Sequence, residues 1–139
     1  MSHRRDGGGG NASTSSLDRH NLAALDAPSA ADVVQMLQDR YSRDTVYTRL
    51  GARALVAVNP GRVLSSVNDA TCDEYVAECR DTSGQRRILE PHVFQLTASA
   101  YLHMRRTGVD QSIILCGEAG SGKTENKKLV FKYISMLRA

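Results

Sequence analysis

Gly117-Glu118-Ala119-Gly120-Ser121-Gly122-Lys123-Thr124 has the spacing G-x-x-x-x-G-K-[ST] of a phosphate-binding loop. The flanks suit such a loop. Before it, Ser112-Ile113-Ile114-Leu115-Cys116 is a short apolar run that predicts a buried strand. After it, Leu129, Val130, Ile134 and Leu137 share one helical stripe, with Lys127, Lys128, Lys132 and Arg138 elsewhere on the turn. Glycine lets the backbone bend round a phosphate and turn N–H groups inward. The start of the following helix presents the positive end of its dipole. In this motif Lys123 reaches the β- and γ-phosphates, and the Thr124 hydroxyl is the ligand for Mg²⁺.

Composition narrows the alternatives. The 139 residues set an upper bound of one domain. The net charge of +3 is spread along the chain, and there are only seven aromatic residues, so no basic run with interleaved aromatics points to nucleic acid. No stretch has the length or apolarity of a signal peptide or a membrane span. Cys72, Cys79 and Cys116 lack metal-ligand spacing. Cys116, at the end of the expected strand, reads as a buried free thiol, and free thiols suggest a reducing, cytosolic compartment.

Outward from the loop, the order of elements reads helix, strand, loop, helix, strand, phosphate loop, helix, an α/β arrangement. Residues 1–27 are expected to be a disordered Gly/Ser-rich leader, with order beginning near Pro28. Leu22-Ala23-Ala24-Leu25-Asp26 reads as linker or helix preamble. Ser29 followed by Asp32 has the form of a capping box, opening a helix with an apolar face of Val33, Val34, Met36, Leu37 and Tyr41. Ala54 to Val58 predicts a strand ended by Asn59-Pro60-Gly61, and Thr71 to Cys79 a short helix. Pro91 suits a helix first turn, and Val93, Leu96, Ala100, Tyr101 and Met104 continue that helix until Thr107-Gly108 closes it. His92, at that helix start, reads as a capping or surface group. Two strands do not make a stable sheet unaided, so residues 28–139 read as the first portion of a larger nucleotide-binding domain.

These pieces resemble a known family. Tyr47-Thr48 to Val58-Asn59-Pro60, Pro91-His92-Val93-Phe94, Asp110 to Ile114 and Gly117 to Asn126 occur in the order found in myosin motor heads. Glu118 and the trailing Glu125-Asn126 distinguish this loop from generic phosphate loops. Tyr101 to Thr107, Glu78 to Thr82 and the Gly120-Ser121-Gly122 core are similar to the myosin-motor-like domain of fungal chitin synthases. The implied fold is an incomplete P-loop NTPase, a myosin-head fragment with strand, loop and helix at its C-terminal end. The resemblance implies ATP and Mg²⁺ as ligands, Asn59 and Pro60 near the adenine, and Asn126 beside the loop. Directly after that proline the family pattern has an aromatic; here Gly61 stands there, and the next tyrosine is Tyr75.

The resemblance also implies actin as partner and a cytoplasmic, cytoskeleton-associated setting, with actin contacts outside these residues and no membrane contact from them. Thr124 lies fifteen residues before the last residue. In the family, switch I and switch II follow the loop helix, so these residues are expected to hold phosphates without hydrolysing them. A non-catalytic interaction protein and an unrelated P-loop kinase or NTPase stand as alternatives.

Overall fold

The computed structural model describes residues 20–64, 67–84 and 87–139. Among them, a 3-10 turn at Leu22–Ala24 precedes α1 (Ala30–Tyr41), β1 (Tyr47–Leu50), β2 (Ala54–Ala57), α2 (Asp69–Arg80), α3 (Val93–Thr107) and α4 (Lys123–Arg138). The 3-10 turn falls within the expected leader, yet it is attached to the fold. Leu22 is buried, and Asn21 Oδ1 accepts the Gly51 N–H at 2.8 Å. The rest of that leader, residues 1–19, lies outside the described residues.

α1 starts as its capping box requires. Ser29 Oγ accepts the Asp32 N–H at 3.2 Å, and Asp32 Oδ2 accepts the Ser29 N–H at 2.8 Å. The Ser29 hydroxyl, donating to Asp32 Oδ2 at 2.6 Å, and then the Ser29 N–H hold the Asp32 carboxyl below its usual range. The expected apolar face is only partly covered: Val33, Met36 and Leu37 are half-buried, while Val34 and Tyr41 are exposed. The buried residue of α1 is Arg40, whose Nη2 donates to the Tyr47 carbonyl at 2.8 Å and whose Nε donates to Thr48 Oγ1 at 3.0 Å. A guanidinium can be buried because its donors find partners there.

β1 and β2 pair antiparallel, Tyr47 opposite Ala57 and Leu50 opposite Ala54, round a turn whose Gly51 has φ 70°. β2 was expected; β1 was not, because Tyr-Thr-Arg-Leu shows its inward side only once packed. α2 is longer than the sequence suggests, since Asn68 Oδ1 caps it through the Thr71 N–H at 2.8 Å. α3 begins at Val93 rather than Pro91, with His92 as N-cap, and ends at Gly108, φ 69°, whose N–H reaches the Met104 carbonyl at 2.8 Å.

The core gathers Val46, Tyr47, Cys72, Tyr75, Val93, Phe94, Val130, Tyr133 and Leu137 from β1, α2, α3, α4 and the segment before β1. α3 and α4 meet through Phe94 and Tyr133, both almost completely buried. The strand expected at Ser112 to Cys116 is absent: these residues have no regular structure, Ile114 is 81% exposed and Cys116 is exposed. The expected buried thiol at Cys116 is therefore corrected; Cys72 is the buried cysteine. A strand is defined by backbone pairing, and among the described residues the hairpin pairs with itself and, by one isolated bridge from Arg49, with Asn21, leaving residues 112–116 unpaired. Ile113 alone of that run packs against the core.

Candidate functional site

The glycine-rich loop leads straight into α4. Gly117, Gly120 and Gly122 take φ of 146°, 78° and 91°, backbone angles that residues with a side chain rarely adopt. At Gly117 a Cβ would meet Ser121 Oγ at 2.6 Å, so the loop closes tightly at this point. Gly122 serves as N-cap of α4 without a side-chain cap. Gly117, Glu118, Ala119 and Gly120 are exposed, as is Thr124 in the first turn of α4. Lys123 crosses the loop, its Nζ donating to the carbonyls of Gly117 at 2.7 Å and Glu118 at 2.6 Å.

Two asparagines brace the loop. Asn59, just after β2, donates from Nδ2 to the Gly120 carbonyl at 2.7 Å and accepts the Gly61 N–H at 3.0 Å. Asn126, one turn into α4, donates from Nδ2 to the Gly122 carbonyl at 3.1 Å. The Asn126 N–H reaches the same carbonyl at 3.0 Å. Asn126 Oδ1 in turn accepts from Tyr47 Oη at 2.8 Å. Pro60 directs its carbonyl to Tyr41 Oη at 3.4 Å. The fold thus brings Asn59 to Gly120 from 61 positions away, beside the local brace of Asn126 on Gly122.

Beside the loop is a cleft of about 320 Å³. Its walls are largely apolar, from Val46, Ala57, Val58, Val63, Leu64 and Leu129, and Ser121, Gly122, Asn59 and Pro60 line its loop side. Arg62 and Lys128 also line it, Arg62 paired with Asp44. Ser121 Oγ is buried without a hydrogen-bond partner among the described residues, the kind of orphan that a bound polar group can satisfy. With the Lys123 ammonium, the start of a sixteen-residue helix and the Thr124 hydroxyl, these groups suit a phosphate ester with a divalent cation. They line one side only of such a ligand. Among the described residues no cluster of His, Cys, Asp and Glu could hold a metal ion by itself. No described helix is long and apolar enough to cross a membrane.

His92 is not a surface group. It is buried, and its Nδ1 accepts the Phe94 N–H at 3.2 Å. Burial lowers its pKa to about 4. It faces Tyr47, Tyr75 and Phe94 rather than the loop, so it belongs to the packing.

The architecture is a mixed helical fragment with a two-stranded hairpin, arranged round a glycine-rich loop at a helix start. The chain belongs to the myosin head (motor domain) family, which it matches over residues 19–139. It is similar to chitin synthase 8 of Mycosarcoma maydis, 39% identical over 103 residues, 72% of this chain and 5% of that protein. It is also similar to the myosin IB heavy chain of Dictyostelium discoideum, 34% identical over 117 residues, 84% of this chain and 10% of that protein. Unconventional myosin-Ia of Gallus gallus is 34% identical over 127 residues, 89% of this chain and 12% of that protein. The chain therefore spans about a tenth or less of the length of these relatives.

Tyr47 is the residue of this site that sequence reasoning did not assign. It reaches Asn126 across 79 positions, and no local pattern marks such a contact.

Proposed function

We propose that residues 28–139 form the ATP-binding segment of a myosin-type, actin-based motor domain, in a parent protein of the myosin or motor-bearing chitin synthase kind. The observation that carries this reading is the bond from Asn59 to the Gly120 carbonyl, which sets an apolar cleft directly against the glycine-rich loop. A base in the cleft and phosphates at the loop is the placement a nucleotide needs. In this reading Gly120 to Lys123 cradle the phosphates and Thr124 holds Mg²⁺, which neutralises phosphate charge when bound. Gly61, where the family pattern has an aromatic, leaves base stacking weak, with the Arg62 guanidinium in the cleft lining as a planar group that contributes instead.

Phosphoryl transfer needs a positioned nucleophile and charge neutralisation from several sides. The loop supplies one side, so these residues bind without turning over. The parent's contact with actin and its cytoskeletal setting belong to the same proposal.

The test is titration of the 139-residue chain with Mg·ATP, followed by amide NMR, beside steady-state phosphate release. The expected result is weak saturable perturbation of residues 117–124, abolished by Lys123→Ala, with no turnover above background. Unperturbed loop amides overturn the nucleotide reading in favour of a non-catalytic interaction role. Saturable turnover lost on Lys123→Ala overturns the non-hydrolytic part.

A further inference from the structure

We infer that Tyr47 and Asn126 are a positioning pair for the loop, setting where its phosphate-facing amides point although Tyr47 lies behind them. The inference rests on the nucleotide reading for its consequence, but its geometry stands alone. Tyr47 is buried, its ring edge-on to His92 at 4.5 Å, so its hydroxyl is delivered from a fixed base. That hydroxyl donates to Asn126 Oδ1 at 2.8 Å. An amide side chain has one acceptor end and one donor end. Holding the oxygen toward Tyr47 therefore commits Nδ2 to the Gly122 carbonyl, 3.1 Å away.

The Gly122 carbonyl thus receives two donors from one residue, the Asn126 side chain and its N–H. In a planar trans peptide the carbonyl and the next N–H point in opposite directions. Clamping the Gly122 carbonyl down the helix aims the Lys123 N–H out of its start, where an anion would sit. Gly122 has φ 91° and no side-chain cap, so little within the loop itself sets that peptide. Tyr47 is a positioning residue here, not a catalytic one. It also links α1 to the loop, because Arg40 holds the Tyr47 carbonyl while the Tyr47 hydroxyl holds Asn126.

Tyr47→Phe removes the hydroxyl and keeps the ring. In the full 139-residue chain, amide hydrogen exchange at residues 122–126 is expected to quicken about five-fold, the factor of one net hydrogen bond. The thermal midpoint should fall by about 4 °C, the shift that one lost hydrogen bond implies for a chain of this size. Asn126→Ala, which removes both the Oδ1 acceptor and the Nδ2 donor, should quicken the same amides, and Tyr47→Phe should add nothing further in that background. Tripolyphosphate and Mg·ATP affinities should each fall by a similar factor in Tyr47→Phe, because the lost hydroxyl acts on phosphate amides while the Tyr47 ring that lines the cleft is kept. Unchanged exchange in Tyr47→Phe, or additive effects of the two substitutions, overturns the pair. If neither anion perturbs the parent chain, the nucleotide reading fails, and the exchange data alone decide the pair. If the anions bind and Tyr47→Phe binds them equally well, the positioning role is overturned.

Discussion

Phe94 and Tyr133 lie face to face, ring centroids 5.0 Å apart and planes 14° from parallel, and this stack joins α3 to α4. Tyr133 Oη also donates to the Tyr75 carbonyl at 2.9 Å, so one side chain links three helices. The helix that carries the loop is anchored at this point.

Tyr133→Ala should cost about 3–5 kcal/mol, the range for removing a buried aromatic ring. Tyr133→Phe keeps the stack and should cost only about 1 kcal/mol for the lost hydrogen bond. Urea denaturation of both variants checks this. Equal losses would show that the hydroxyl, not the ring, carries the anchor.

Acid should weaken the fold through His92. Its folded pKa of about 4 lies below the ordinary 6.5 because burial disfavours the charged ring. The ring lies against Tyr47, Tyr75 and Phe94, and Arg49 is the charged group lining the small cavity it shares. The unfolded chain takes up a proton near pH 6.5, and the folded chain only near pH 4. Its stability contribution is thus complete above about pH 6.5, declines as pH falls, and changes no further below about pH 4. The loss is up to about 3 kcal/mol. His92→Asn, which can still accept the Phe94 N–H, should flatten this part of the stability profile. An unchanged difference in urea midpoint between pH 7 and pH 4.5 would assign the acid sensitivity elsewhere.

Arg40 should matter far more than its ion-pair partner. Arg40→Ala strips donors from the buried Tyr47 carbonyl and Thr48 hydroxyl and should cost about 3 kcal/mol. Glu90, with its side chain 58% exposed, should cost less than about 1 kcal/mol as Glu90→Gln. Chemical denaturation of the two variants compares them directly, and a larger loss for Glu90→Gln would contradict this account.

Two glycines should differ in their tolerance of alanine. Gly117→Ala sets a Cβ 2.6 Å from Ser121 Oγ at φ 146°, so the Ser121 side chain must give way and the backbone is strained, at a cost of about 1–3 kcal/mol. Gly108→Ala, at φ 69° with open space round it, should cost only about 1 kcal/mol. Amide chemical shifts should move through residues 117–124 in the first variant and stay local in the second. Matching local changes in both would show that the loop has room to spare.

Local rules made much of this chain legible. Ser29 and Asp32 announced α1, Gly108 closed α3, and the stripe of Leu129, Val130, Ile134 and Leu137 described α4, because capping and helical period act within a few residues. The phosphate-loop spacing and the family resemblance were likewise visible in the order of residues, and the family match agrees. The run at 112–116 misled, because apolar β-formers describe a strand's preference and not its partner. Arg40, buried where an apolar face was expected, needed the Tyr47 carbonyl and the Thr48 hydroxyl of β1 to become acceptable.

The glycine-rich loop, its lysine and the helix behind it were therefore determined by the sequence itself, through spacing that works at short range. Tertiary structure decided what braces the loop: Asn59 on Gly120, and Tyr47 through Asn126 on Gly122. Those contacts close over 61 and 79 positions, and only a folded core can hold a hydroxyl or an amide at hydrogen-bond distance from a residue so remote.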